Sequence, residues 1–189
     1  MCGACWSSIR IVRSLDERFD VSHPISWRAA VDAYEGRMKD IIHALKYDRR
    51  RSIAPRLGAL MREAGAALLA DADCVVPVPL HPWREYRRGF NQAHQLAIHL
   101  GPPVVSLLTR VRHTTPQIDL PREQRLANVR DAFALTDPGS RIPVPDVVVL
   151  IDDVATTGAT LESCAEVLRR SGVKDVRALT AARVVNAPR

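Results

Sequence analysis

Val147 to Thr160 reads VVVLIDDVATTGAT. Five apolar residues run without a break into two adjacent aspartates, a short Thr/Gly loop follows, and a helical period then begins. An uninterrupted apolar run of this length suits a central parallel strand that is covered on both faces. Its polar residues then fall at the carboxyl end, where open α/β sheets place their ligands. The loop Ala155, Thr156, Thr157, Gly158, Ala159 and Thr160 can turn backbone N–H groups and threonine hydroxyls toward one anion, and the helix behind it adds its positive end. Asp152 and Asp153 repel phosphate, but they accept hydrogen bonds from vicinal hydroxyls or hold a hydrated divalent cation. A phosphate cradle beside a diol-binding acid pair describes a ribose 5-phosphate site. The same segment is also compatible with an ordinary strand-turn-helix that ends in acidic residues.

The rest of the chain sets the frame. Its 189 residues make one full-sized domain with room for a sizeable core. Apolar and charged shares of 47% and 25% exclude wholesale disorder. No apolar run approaches membrane-spanning length and the amino terminus lacks a signal-peptide core, so a cytoplasmic protein without membrane insertion is expected. Lys and Arg outnumber Asp and Glu by 27 to 21, which fits a phosphate-rich ligand or nucleic acid and selects neither.

Residues 1–33 read as a lead-in and residues 34–189 as the main domain. Cys2 and Cys5 have the spacing of half a zinc knuckle, but a second pair of ligands at a recognisable distance is missing, so Zn²⁺ binding is doubtful. The stretch from Trp6 to Ser26 has little periodicity. Met38, Ile41, Ile42 and Leu45 mark a helix from about Glu35 to Tyr47, and Leu57 to Leu68 a second one. The basic residues Arg37, Lys46 and Arg49 to Arg51 suit either a phosphate contact or a solvated surface. Val75 to Pro79 reads as a strand whose end bends sharply. An arginine-bearing loop follows, then a helix through Ala93, Leu96 and Leu100. Val104 to Thr109 reads as a further strand. Arg110 to Asp131 carries no firm element, fitting a functional lid or a helix packed through Leu126 and Val129. Val176 to Val185 reads as the last strand.

The strand, acid pair and Thr-Thr-Gly-x-Thr loop resemble the signature of type I phosphoribosyltransferases. Pro77-Val78-Pro79-Leu80-His81, followed by Arg88-Gly89-Phe90-Asn91-Gln92, is similar to the ComF/GntX family of competence-associated proteins. That likeness continues through Thr115-Pro116-Gln117, Arg125, Asn128-Val129 and Phe133 to the acid pair. It covers the chain from about residue 34 onward and departs at the amino terminus, where the family carries a four-cysteine zinc module. The resemblance implies a doubly wound α/β fold, a mostly parallel sheet with helices on both faces. It also implies a site for phosphoribosyl pyrophosphate (PRPP) with Mg²⁺. Asp152 and Asp153 would meet the ribose hydroxyls or the metal through water, and Ala155 to Thr160 the 5-phosphate. Leu80, His81 and Arg88 would face the pyrophosphate, and a flexible lid with Arg110, Arg112 and His113 would close over it. The reaction such a site serves is displacement at the anomeric carbon, but no residue pattern names the acceptor. The family also implies a DNA-uptake accessory that binds single-stranded DNA and works with DNA-processing proteins, its pocket non-catalytic or regulatory.

Overall fold

The computed structural model describes residues 6, 9, 11–12, 15–47, 50–111, 131–137 and 144–185. In chain order the elements are β1 (Glu17–Arg18), β2 (Trp27–Ala33), α1 (Gly36–Tyr47), a 3-10 turn (Arg51–Ile53), α2 (Ala54–Ala64) and α3 (Ala66–Leu69). There follow β3 (Cys74–Pro77), α4 (Pro82–Arg88), α5 (Gln92–Ala97), β4 (Leu108–Arg110), β5 (Phe133–Leu135), β6 (Val147–Ala155), α6 (Ala159–Arg170) and β7 (Asp175–Arg183). The main sheet runs β1-β2-β7-β6-β3. Only β1 is antiparallel to its neighbour; the other four strands are parallel. This is the doubly wound α/β architecture that the sequence implies.

Alternation along β6 sorts its side chains between two cores. Val149 and Ile151 join α1, α2 and α5 on one face, through Ile42, Leu57 and Leu96. Val148 and Leu150 join α6 on the other, through Leu161, Cys164 and Leu168, together with Leu108 of β4 and Phe133 of β5. Being covered on both faces is the physical reason that β6 reads as a continuous apolar run. Gly65, between α2 and α3, is a packing requirement: a Cβ there would come within 2.5 Å of the Leu179 side chain of β7.

The sheet order sets where a ligand crevice forms. From β3 the chain passes through α4 and α5 to Val104, which bridges Val75 on the outer side of β3. From β6 it passes through α6 to β7, in the opposite direction. The two connections diverge between β3 and β6, and the crevice at their carboxyl ends is the topological switch point, where such sheets bind ligands.

Four sequence expectations need correction. Trp27–Ala33, inside the stretch read as lead-in, is an interior strand of the main sheet. It escaped notice because Ala29, Ala30 and Val31 are all buried and alternation is absent, while alanine carries little strand propensity. The arginine-bearing loop after β3 is largely the helix α4, started by Pro82 behind a His81 cap. Val104 to Thr109 is not one strand: Val104 makes an isolated bridge, and Leu108–Arg110 pairs with Phe133–Leu135 in a separate two-stranded sheet. Arg110 accordingly stands in a strand, opposite Phe133, rather than in a lid. Arg112, His113, the helix expected from Pro121 to Arg130, Cys2 and Cys5 lie outside the described residues. Among the described residues no helix is long and apolar enough to cross a membrane.

Candidate functional site

One wall of the crevice is the turn from β6 into α6. Gly158 sits there at φ +89°, a conformation that a side chain strains. It starts α6 without a side-chain cap among the described residues, so the helix's first N–H groups face the turn. Thr157 Oγ1 accepts from the Ala159 N–H only at a long 3.4 Å. The turn and Asp152 line a small cleft of about 200 Å³, its open mouth included, with Ala155, Thr156, Gly158, Ala159 and Thr160 on its surface. Five of the six residues predicted for the phosphate cradle thus meet in one place, and Thr157 supports them from within the loop.

The cradle has a residue that sequence reading missed. A Cβ on Gly158 would collide with Nη1 of Arg28, whose side chain crosses from β2. Arg28 is 7% exposed, and its Nη2 donates to Glu17 Oε2 at 2.5 Å. Glu17 is shared with Arg183 at the end of β7. Burial would raise the Glu17 carboxyl, but the two guanidiniums outweigh it and hold it below its ordinary value. Arg28 could not be singled out without β2 being recognised as a sheet strand.

The two aspartates part company. Strand alternation sends Asp153 to the α1 face, where Lys46 Nζ lies 2.9 Å from its Oδ1. Burial alone would depress the Lys46 ammonium, but Asp153 at contact and Asp152 beyond it raise it above the ordinary lysine value. Lys46 therefore sits at the carboxyl end of β6 and not on the solvated basic surface. Asp152 turns toward α6, with Oδ1 accepting from the Asp153 N–H at 2.8 Å. Burial, and next the charge of Asp153, push its carboxyl up to about 7 against the pull of Lys46 and Arg110. Two carboxylates, one already holding an ammonium, suit a cation bridged by water and shared with a ligand's phosphates, the usual mode for Mg²⁺. Among the described residues no group of three or more His, Cys, Asp or Glu side chains is placed to hold a metal.

The other wall follows β3. His81 Nδ1 caps α4 by accepting from the Trp83 N–H at 3.2 Å, and Gly89 ends that helix in the left-handed region at φ +79°. Asn91 caps α5 by accepting from the Ala93 N–H at 2.9 Å, and its amide donates to the Val78 carbonyl at 3.0 Å. The Arg-Gly-Phe-Asn-Gln sequence is thus a clamp on the exit of β3, just ahead of the Leu80–His81 turn. Arg88 takes part in that clamp through Gln92, 3.0 Å away, and lies over the Tyr47 ring. Arg84 and Arg110 complete a basic group. Burial, then the neighbouring Arg88, lowers the Arg84 guanidinium from its ordinary value. Burial, then Arg84, does the same to Arg110, which also feels Asp152. Three guanidiniums gathered within electrostatic reach of one another form a surface suited to a polyanion.

No protein-family model matches the chain. It is similar to competence protein F of Haemophilus influenzae, 36% identical over 110 residues, 56% of this chain and 48% of that protein. The match therefore spans about half of that relative. DNA utilization protein YhgH of Salmonella typhimurium is 35% identical over 170 residues, covering 82% of this chain and 71% of that one. A solved purine phosphoribosyltransferase from Pyrococcus horikoshii is 20% identical over 70% of this chain and 76% of its own, with a TM-score of 0.40. At 35% identity across most of both chains, the resemblance first carried by Pro77–His81 and Arg88–Gln92 holds, and the chain belongs to the ComF family of phosphoribosyltransferase-like proteins.

Proposed function

We propose that the crevice binds a ribose 5-phosphate group, with PRPP and Mg²⁺ as its fullest ligand. One juxtaposition carries the reading. A glycine-bearing turn at a helix N-terminus follows an acid pair, and the first of that pair, Asp152, lies within electrostatic reach of Arg110, itself grouped with Arg84 and Arg88. The 5-phosphate would take the N–H groups from Gly158 to Thr160, and the ribose hydroxyls would meet Asp152 and Asp153. The pyrophosphate would lie against Arg84, Arg88 and Arg110 beside the Leu80–His81 turn. Mg²⁺, when bound, would neutralise pyrophosphate charge, with Asp152 reaching it through water. These residues position the ligand and neutralise a leaving group, which is what displacement at an anomeric carbon asks of a protein.

A second reading, binding of single-stranded DNA, is supported by α4. Trp83 and Tyr86 are 52% and 86% exposed, and Arg87 lies 4.9 Å over the Trp83 ring. Exposed rings among arginines are the elements of a base-stacking surface. The relatives' names, competence and DNA utilization proteins, agree with it.

Thermal unfolding separates the two. PRPP with Mg²⁺ at a hundredfold over its dissociation constant should stabilise the chain by about 2.7 kcal/mol, a rise of about 5–10 °C. No response to PRPP, beside a salt-sensitive response to a short oligonucleotide, would replace the first reading with the second.

A further inference from the structure

Arg28 is a buried charge in an interior strand. Its neighbours along β2, Ala29 and Val31, join the core beside α1, so strand alternation sends Arg28 to the opposite face, toward α6. Its side chain is 9% exposed and reaches Gly158, where Nη1 occupies the space that a Cβ would need. Two further contacts fix it: Nη2 donates to Glu17, and the guanidinium lies 5.1 Å over the Phe19 ring. Among the described residues its Nε is buried and has no hydrogen-bond partner. A guanidinium enclosed to this degree is costly unless nearby charges compensate it.

Those charges are unevenly divided. Glu17 is shared between Arg28 and Arg183, so two guanidiniums and one carboxylate leave one positive charge behind the turn. On the turn itself stands an opposing group. Glu162, in the first turn of α6, brings Oε1 within 3.1 Å of the same Cβ position and also faces His23. A carboxylate there repels an anion held by the first N–H groups of α6, and the charge on Arg28 offsets it. The cleft is lined by the turn and not by Arg28. We infer that Arg28 is a positioning residue of the anion site, which props the Gly158 turn from behind and supplies the positive charge that offsets Glu162. Glu17, by holding part of that charge, then sets how strongly the turn attracts a phosphate ester. This inference rests on the ribose 5-phosphate reading above and adds to the turn a partner from β2.

The test is calorimetric titration of the full chain with ribose 5-phosphate, beside urea unfolding of each variant. Arg28→Gln should lower affinity by about tenfold, the effect of one charge acting through a short depth of protein. Arg28→Lys keeps the charge with fewer donors, and should bind within about threefold of the wild type. Glu17→Gln removes the negative charge while its amide oxygen still accepts from a guanidinium. Its affinity should rise about threefold, even as its unfolding midpoint falls. A merely structural Arg28 requires the reverse, because a loosened network would weaken the turn. An affinity that falls or stays level in Glu17→Gln overturns the inference and leaves the ribose site standing. So does a folded Arg28→Gln chain that binds as the wild type does, or an Arg28→Lys chain as weak as Arg28→Gln. Should Arg28→Gln fail to fold, the sign of the Glu17→Gln change decides. Failure of the wild type to bind ribose 5-phosphate overturns the ribose reading itself.

Discussion

The two walls of the crevice face each other across the switch point and are built from different materials. The β6 wall is made of backbone: a left-handed glycine, the first N–H groups of α6, and a strand end. The β3 wall is made of side chains: a histidine cap, an asparagine that both caps α5 and ties down Val78, and guanidiniums held near one another. A backbone wall tolerates few residues at its key position. A side-chain wall has its shape spread over several caps, each of modest worth.

Substitutions that attack one wall at a time would sharpen or break this contrast. Gly158→Val should have the largest effect, since it strains a positive φ and drives a side chain into Arg28. A loss of about 2–3 kcal/mol in stability is expected, together with loss of protection by ribose 5-phosphate. An unchanged unfolding temperature with retained protection would show that the turn is not the rigid wall. Asn91→Ala removes a helix cap and the bond to Val78, and should cost about 1–2 kcal/mol. Its binding defect should be greater for PRPP than for ribose 5-phosphate, because only the β3 wall is loosened; equal defects would contradict the division.

Asp152→Asn probes the seam between the walls. A folded-state carboxyl raised to about 7 binds its proton more tightly than the unfolded chain does. Its share of stability is therefore complete below the ordinary carboxylate pKa and is lost as pH rises through about 7. The variant should be more stable than wild type at pH 8, by about 1–2 kcal/mol for this partly solvated group, and the difference should vanish toward pH 4. Urea unfolding at the two pH values reads this directly, and a gap that does not depend on pH would mean that Asp152 is ionised throughout. Tyr86→Ala should leave folding unchanged, because the ring is 86% exposed. If α4 stacks bases, oligonucleotide affinity should fall by about 1–3 kcal/mol while PRPP binding stays as it was. Unchanged affinity for both would remove α4 from the nucleic-acid reading.

Much of the β6 wall was legible in the sequence because its features are local. The apolar run, the acid pair and the glycine turn follow one another, and one strand-turn-helix puts them in place. The partners that arrive from elsewhere were not legible. Lys46 comes from α1, and its residue type among other basic residues says nothing about the strand end it meets. Arg28 comes from a strand built on Ala-Ala-Val, where burial on both faces removed the alternation that would have marked it. The β3 wall lies between these cases. Its motif stood out in the sequence, but its meaning as a clamp depends on a bond between Asn91 and Val78, thirteen positions apart.

The Glu17 carboxylate has a consequence for anyone who shortens this protein. It is the common counter-ion of Arg28, which underlies the turn at Gly158, and of Arg183, which ends β7. Trimming the chain to begin at residue 20 would spare every residue of the cleft and still leave two like charges to push apart beneath it. The amino-terminal segment, which carries none of the ligand contacts proposed here, acts as a keystone for the turn that does.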